Sequence, residues 1–143
     1  MLLITRTLAV FGLAAAFATP VWAGITINVA ENGEGGQTMS LTLEPASVKA
    51  GDVTFVVHNH AVSEEHEMIV VRLTSEDQKI PMIKGKHRVD ESKLNSLGEV
   101  ADLRPGAMGK LQTTLKAGTY LVFCNLKGHY EAGMEATLRV VDP

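Results

Sequence analysis

Cysteine is nearly absent: the 143 residues hold one, Cys124, so no disulfide can close within the chain. Basic charge is also scarce. Thirteen Lys and Arg stand against 16 Asp and Glu, for a net charge of −3, and no basic stripe runs along the chain. Nucleic acid is therefore excluded as an expected partner, while mild acidity favours solubility. The one long apolar run, Leu8–Ala18, falls short of the ~20 residues that span a bilayer. No phosphate-binding loop, serine-triad signature, internal repeat or low-complexity tract is present. Met39, Met68, Met82 and Met108 are scattered and form no Met-rich copper-transport tract. Glu64, Glu65 and Glu67 read as a solvated edge, because carboxylates without a pocket do not make an acid–base site.

The apolar run has a different use. Arg6 precedes it, and Thr-Pro-Val-Trp-Ala follows, ending at Ala23. A positive start, a short apolar stretch and small residues at Val21 and Ala23 describe a secretory signal peptide over residues 1–23. No cysteine follows the cut, which argues against a lipoprotein anchor. The expected mature protein is then one periplasmic domain, residues 24–143, monomeric and not inserted in a membrane. A single cysteine in an exported protein leaves three readings: a small buried side chain, an intermolecular disulfide, or a metal ligand.

The mature sequence alternates in the manner of strands. Ile25–Val29, Met39–Leu43, Val53–Asn59, His66–Leu73, Gly109–Leu115, Thr119–Cys124 and Glu135–Val141 give about seven, separated by turn residues such as Gly51-Asp52 and Gly118. Glu31–Gln37 reads as a loop. The pattern predicts an all-β antiparallel sandwich. Residues 74–105 interrupt it as a polar insertion, with a helical turn or short helix expected near Asp90–Leu97. The His66–Leu73 strand is apolar on both faces, so one face should meet the core and the insertion should cover the other.

The run Phe-Cys-Asn-Leu-Lys-Gly-His-Tyr-Glu-Ala-Gly-Met places Cys124, His129 and Met134 in one loop, with Gly128 and Gly133 to let it turn back. Thiolate and thioether are soft donors, and imidazole suits both oxidation states of copper. A blue site takes a second imidazole. His66 is the best choice among His58, His60, His66, His87 and His129, because it opens an apolar strand at a sheet-end position like that of Cys124. Ligands drawn from distant strands would be fixed by the sandwich, which favours electron transfer. His58 and His60, two apart on one face, could hold a second, weaker metal site; solvated or hydrogen-bonded loop histidines are the commoner outcome of such a pair.

The segments Gly118–Cys124, Gly128-His129 and Gly133-Met134, together with Gly51–Asn59 and His66, resemble the cupredoxins, the small blue copper proteins. The resemblance covers most of Val48–Val141 apart from the insertion. It implies a Greek-key β-sandwich of about seven to eight strands and one mononuclear copper. It implies His66 and His129 as imidazole ligands, Cys124 as the thiolate and Met134 as the axial ligand. It also implies transient docking to redox partner proteins (a cytochrome, oxidase or reductase) rather than enzymatic turnover. Copper storage, delivery or resistance is the alternative function for the same ligands. One departure stands out: many cupredoxins follow the first histidine with asparagine, which ties the ligand loops together, and here Glu67 follows His66.

Overall fold

The computed structural model describes residues 24–143; the expected signal peptide lies outside the described residues. Strands run β1 Ile25–Asn32, β2 Ser40–Glu44, β3 Ser47–Lys49, β4 Gly51–Asn59, β5 His66–Arg72, β6 Met82–Ile83, β7 Arg88–Val89, β8 Asn95–Leu103, β9 Met108–Leu115, β10 Gly118–Phe123 and β11 Glu135–Val141. They form a four-stranded sheet, β2-β1-β4-β9, a five-stranded sheet, β3-β11-β10-β5-β8, and a β6-β7 hairpin. Among the described residues no helix is long and apolar enough to cross a membrane.

Alternation accounts for the core. Ile27 and Val29 of β1, Val53, Phe55 and Val57 of β4, Met68 and Val70 of β5, and Tyr120 and Val122 of β10 all face inward and are buried together. Side chains at i and i+2 share a face of a strand, so each strand delivers its apolar set to one layer. The expected β-sandwich is present, but its sheets are mixed rather than antiparallel. β1 pairs in parallel with β4, and β3 in parallel with β11. After β2 the chain crosses to the other sheet as β3 and returns as β4 beside β1 in the same direction. Periodicity tells which face a residue takes and is silent on strand direction.

Two boundaries also move. β1 continues through Asn32, so Glu31 belongs to a strand rather than a loop, and the Ile27, Val29, Glu31 parity turns its carboxyl inward. Within the insertion, helix is limited to a single 3-10 turn, Glu91–Lys93, followed by the edge strand β8. Leu94 and Leu97, three apart, do not share a helical face. Leu97 packs on the main core and Leu94 on a second cluster. β8 is mostly exposed and carries bulges opposite β5, so it shows little apolar alternation.

The second cluster is the expected cover. Ile69 and Val71 of β5 and Leu121 and Phe123 of β10 are buried beneath Val89, Ile80 and Leu94 of the insertion, and Tyr130 closes the end. Burial of such side chains contributes roughly 1.5–3 kcal/mol each. The second sheet is thus held from both faces, which fixes the strand ends that carry His66 and Cys124.

Candidate metal centre

Each donor is placed by a different local cause. Cys124 follows β10, two positions beyond Val122 on the core-facing side, and is fully buried. From there the chain closes a compact loop. His129 N–H donates to the Leu126 carbonyl at 3.0 Å, Ala132 N–H to Gly128 at 3.0 Å, and Met134 N–H to His129 at 3.0 Å. Cys124 N–H donates to the Met134 carbonyl at 3.1 Å, tying the loop's two ends together. Gly133 is required here: its φ is +103°, and a Cβ would meet the Met39 carbonyl oxygen at 2.9 Å. His66 opens β5 on the inner face that it shares with Met68 and Val70.

The structure brings these residues together. The Nδ1 atoms of His66 and His129 lie 3.2 Å apart, and His129 Nδ1 lies 3.5 Å from Cys124 Sγ. Ligating atoms of all three fall within 4.8 Å of one another. Met134 is fully buried and clusters with Cys124 and Met39, so its side chain packs in the same neighbourhood. His58, His60 and His87 stand apart: His87 pairs with Glu131 at 2.8 Å, and His58 and His60 stack on each other.

Burial keeps the donors uncharged. Burial pushes the Cys124 thiol up to about 12, against the opposing effect of the Leu126 and Glu67 backbone N–H groups. Burial likewise holds His66 below the usual histidine range, against the Gly33 backbone and the charges of Glu64 and Glu34. His129 is lowered by burial and then by the charge of His66. Both rings are therefore neutral at pH 7 and can offer nitrogen lone pairs. His66 Nε2 is buried without a hydrogen-bond partner, which leaves Nδ1 as the atom that faces the other donors. Two imidazoles, a thiol and a nearby thioether fit copper in both charge states.

Three supporting residues were not picked out from the sequence. Asn59 donates from Nδ2 to the Glu64 and Leu103 carbonyls at 2.9 and 2.8 Å and accepts from Ala61 N–H at 2.8 Å, which fixes the loop leading to His66. Asn125, beside Cys124, accepts from Val89 N–H at 2.6 Å and donates to the Val89 carbonyl at 3.0 Å and Glu91 Oε1 at 2.6 Å. Glu31 is fully buried with both carboxylate oxygens unpaired, and burial, then the charge of Glu67, raises it to about 8. Its signal was the strand parity shared with Ile27 and Val29. Glu67 still serves the site through its backbone, whose N–H points at Cys124 Sγ at 3.4 Å. A side-chain tie is made by Asn125 instead, and it joins the ligand loop to the insertion.

No protein-family model matches the sequence, and no curated protein matches it. Solved structures do. Reduced auracyanin of the photosynthetic bacterium Roseiflexus castenholzii aligns at TM-score 0.57 and 18% identity, covering 83% of this chain and 98% of that one. Auracyanin A, a "blue" copper protein of the green thermophilic photosynthetic bacterium Chloroflexus aurantiacus, aligns at TM-score 0.56 and 24% identity, covering 83% and 100%. Rusticyanin from Thiobacillus ferrooxidans aligns at TM-score 0.51 and 18% identity, covering 82% and 77%. At these identities the likeness is one of fold, and the chain has a cupredoxin-like fold, the β-sandwich of the auracyanins and rusticyanin.

Proposed function

We propose that this chain is an exported, periplasmic blue-copper protein that carries single electrons between larger redox proteins. The observation that carries the reading is the convergence of His66 Nδ1, His129 Nδ1 and Cys124 Sγ beside Met134. Copper bound there would alternate between one and two positive charges, taking up and giving up one electron. His66, Cys124 and His129 would hold it, and Met134 would add a thioether donor. The chain's own part is to keep these donors still. Backbone bonds close the Cys124–Met134 loop, Asn59 and Asn125 fasten its neighbours, and the Glu67 N–H, aimed at Cys124 Sγ, would offset charge on the thiolate once metal is bound. A frame that does not rearrange keeps the cost of each transfer low.

His129 offers the way out. It is 8% exposed and lines a concavity of ≈ 290 Å³ with Gly36, Met39 and Ala132. Next to the loop, the hairpin residues Lys86 and Arg88 and the loop residue Lys127 line a second concavity. That basic rim suits an acidic partner face and a brief, weak encounter.

The visible spectrum of the copper-loaded protein tests the reading. An intense thiolate-to-copper band is expected, with none in Cys124→Ala. Rapid electron exchange with a reduced cytochrome then separates a carrier from a storage or delivery protein. Copper-loaded wild type without the band sinks the proposal.

A further inference from the structure

The outer face of the four-stranded sheet holds a second set of soft and borderline donors. His58 lies on β4 opposite Ala30 of β1 and Met108 of β9. His60 follows two positions on, so its side chain leaves the same face. Its backbone N–H donates to the Glu31 carbonyl at 2.8 Å, which prolongs the ladder and holds the residue in place. The two rings already meet, with centroids 3.9 Å apart and planes tilted by 48°. Both line a concavity of ≈ 250 Å³ that also includes Met108, Ala30, Thr42 and Glu44. Ala30, with no side chain beyond Cβ, leaves room beside His58. Met108 is 63% exposed, an apolar side chain in water with its thioether free.

We propose that His58 and His60, with Met108, form a second, solvent-accessible copper site. Imidazoles two residues apart on a strand are about 7 Å apart at the backbone, and rotation about their side-chain bonds brings one nitrogen of each onto a single ion. The two rings bind Cu(II), and the Met108 thioether adds a soft donor that favours Cu(I). The Glu44 carboxylate lines the same concavity and adds a negative charge that favours a cation. This site lies across the sheet from Asn59, whose side chain points the other way into the loop before His66. The proposed site and the buried centre therefore share no donor.

Copper titration of the full chain tests the proposal, with the buried centre filled beforehand and Cu(II) as the probe. A second equivalent is expected, with a tetragonal electron paramagnetic resonance signal and no intense thiolate band. His58→Gln/His60→Gln should weaken it by at least about 100-fold, the upper end of what losing even a partner behind a ligand costs. Met108→Leu should leave Cu(II) binding intact and weaken binding of Cu(I), measured by competition with a chromophoric chelator. Cys124→Ala should keep the exposed equivalent, so a failure of the buried centre does not imitate a failure here. The proposal is overturned if no second equivalent binds, or if it binds equally well to His58→Gln/His60→Gln.

Discussion

His66 Nδ1 and His129 Nδ1 stand 3.2 Å apart although 63 positions separate them in the chain. Neither ring is charged at pH 7, because burial lowers both. Two neutral imidazoles that face each other through the same atom can share one proton or one cation. With Cys124 Sγ 3.5 Å from His129 Nδ1, one cation placed there would satisfy all three groups at once.

Loading should expel a proton. Cys124 is a neutral thiol at pH 7, being raised to about 12, and a coordinating thiol is deprotonated. The histidines, lowered from 6.5, have none to release. Copper(II) added to the metal-free protein at pH 7 in weak buffer should therefore free about one proton per bound ion, read with a pH indicator. Cys124→Ala should free none at this site. Equal release from both proteins would contradict the thiol's role.

Stability of the metal-free protein should fall as pH rises. Glu31 is raised from 4.5 to about 8, so below pH 4.5 it is protonated in both native and unfolded chains. Between those values the unfolded chain loses the proton and the native chain keeps it, which costs about 1.4 kcal/mol per pH unit. Above about 8 both ionise and the slope ends. His66 and His129, lowered in the native state, act in the opposite sense only below 6.5. Urea melts between pH 6.5 and 8 should show the slope in wild type and a flatter profile in Glu31→Gln. Identical slopes would remove Glu31 as its source.

Asn125→Ala should weaken both the fold and the site. It strands the Val89 N–H and carbonyl in a buried setting, at about 1–3 kcal/mol for each group left unpaired. Copper affinity should drop by about 10- to 100-fold, as for other groups that orient ligands. Denaturant melts and chelator competition read the two effects. Unchanged affinity would limit Asn125 to a structural part.

Met134 can be divided into packing and donor by two substitutions. Met134→Ala opens a cavity in a fully buried position and should cost about 2–5 kcal/mol in the metal-free protein. Met134→Leu nearly conserves volume and should cost under about 1.5 kcal/mol. Any shift of the copper-loaded spectrum or potential in Met134→Leu then reports the missing thioether. No shift would exclude Met134 as a ligand.

Much of this was legible in the chain. Alternation in Ile27–Val29, Val53–Val57 and Tyr120–Val122 carried both the strands and their inward faces, because a strand's period of two is local. The double apolar character of Ile69–Val71 announced a second covering layer, found in Val89, Ile80 and Leu94. β8 was not legible: an exposed, bulged edge strand leaves few apolar marks. Glu31 was misplaced in a loop because a lone acid at a strand end looks polar until the sandwich closes over it.

The sequence by itself determined the donor types, the turns that hold Cys124, His129 and Met134 in one loop, and the parity of each strand, since all depend on neighbours along the chain. Only the tertiary structure decided that His66 meets that loop, that the sheets are mixed and that Glu31 is sealed without a partner. Those outcomes rest on which strands cross between the two layers, and backbone pairing within each sheet sets that between residues dozens of positions apart.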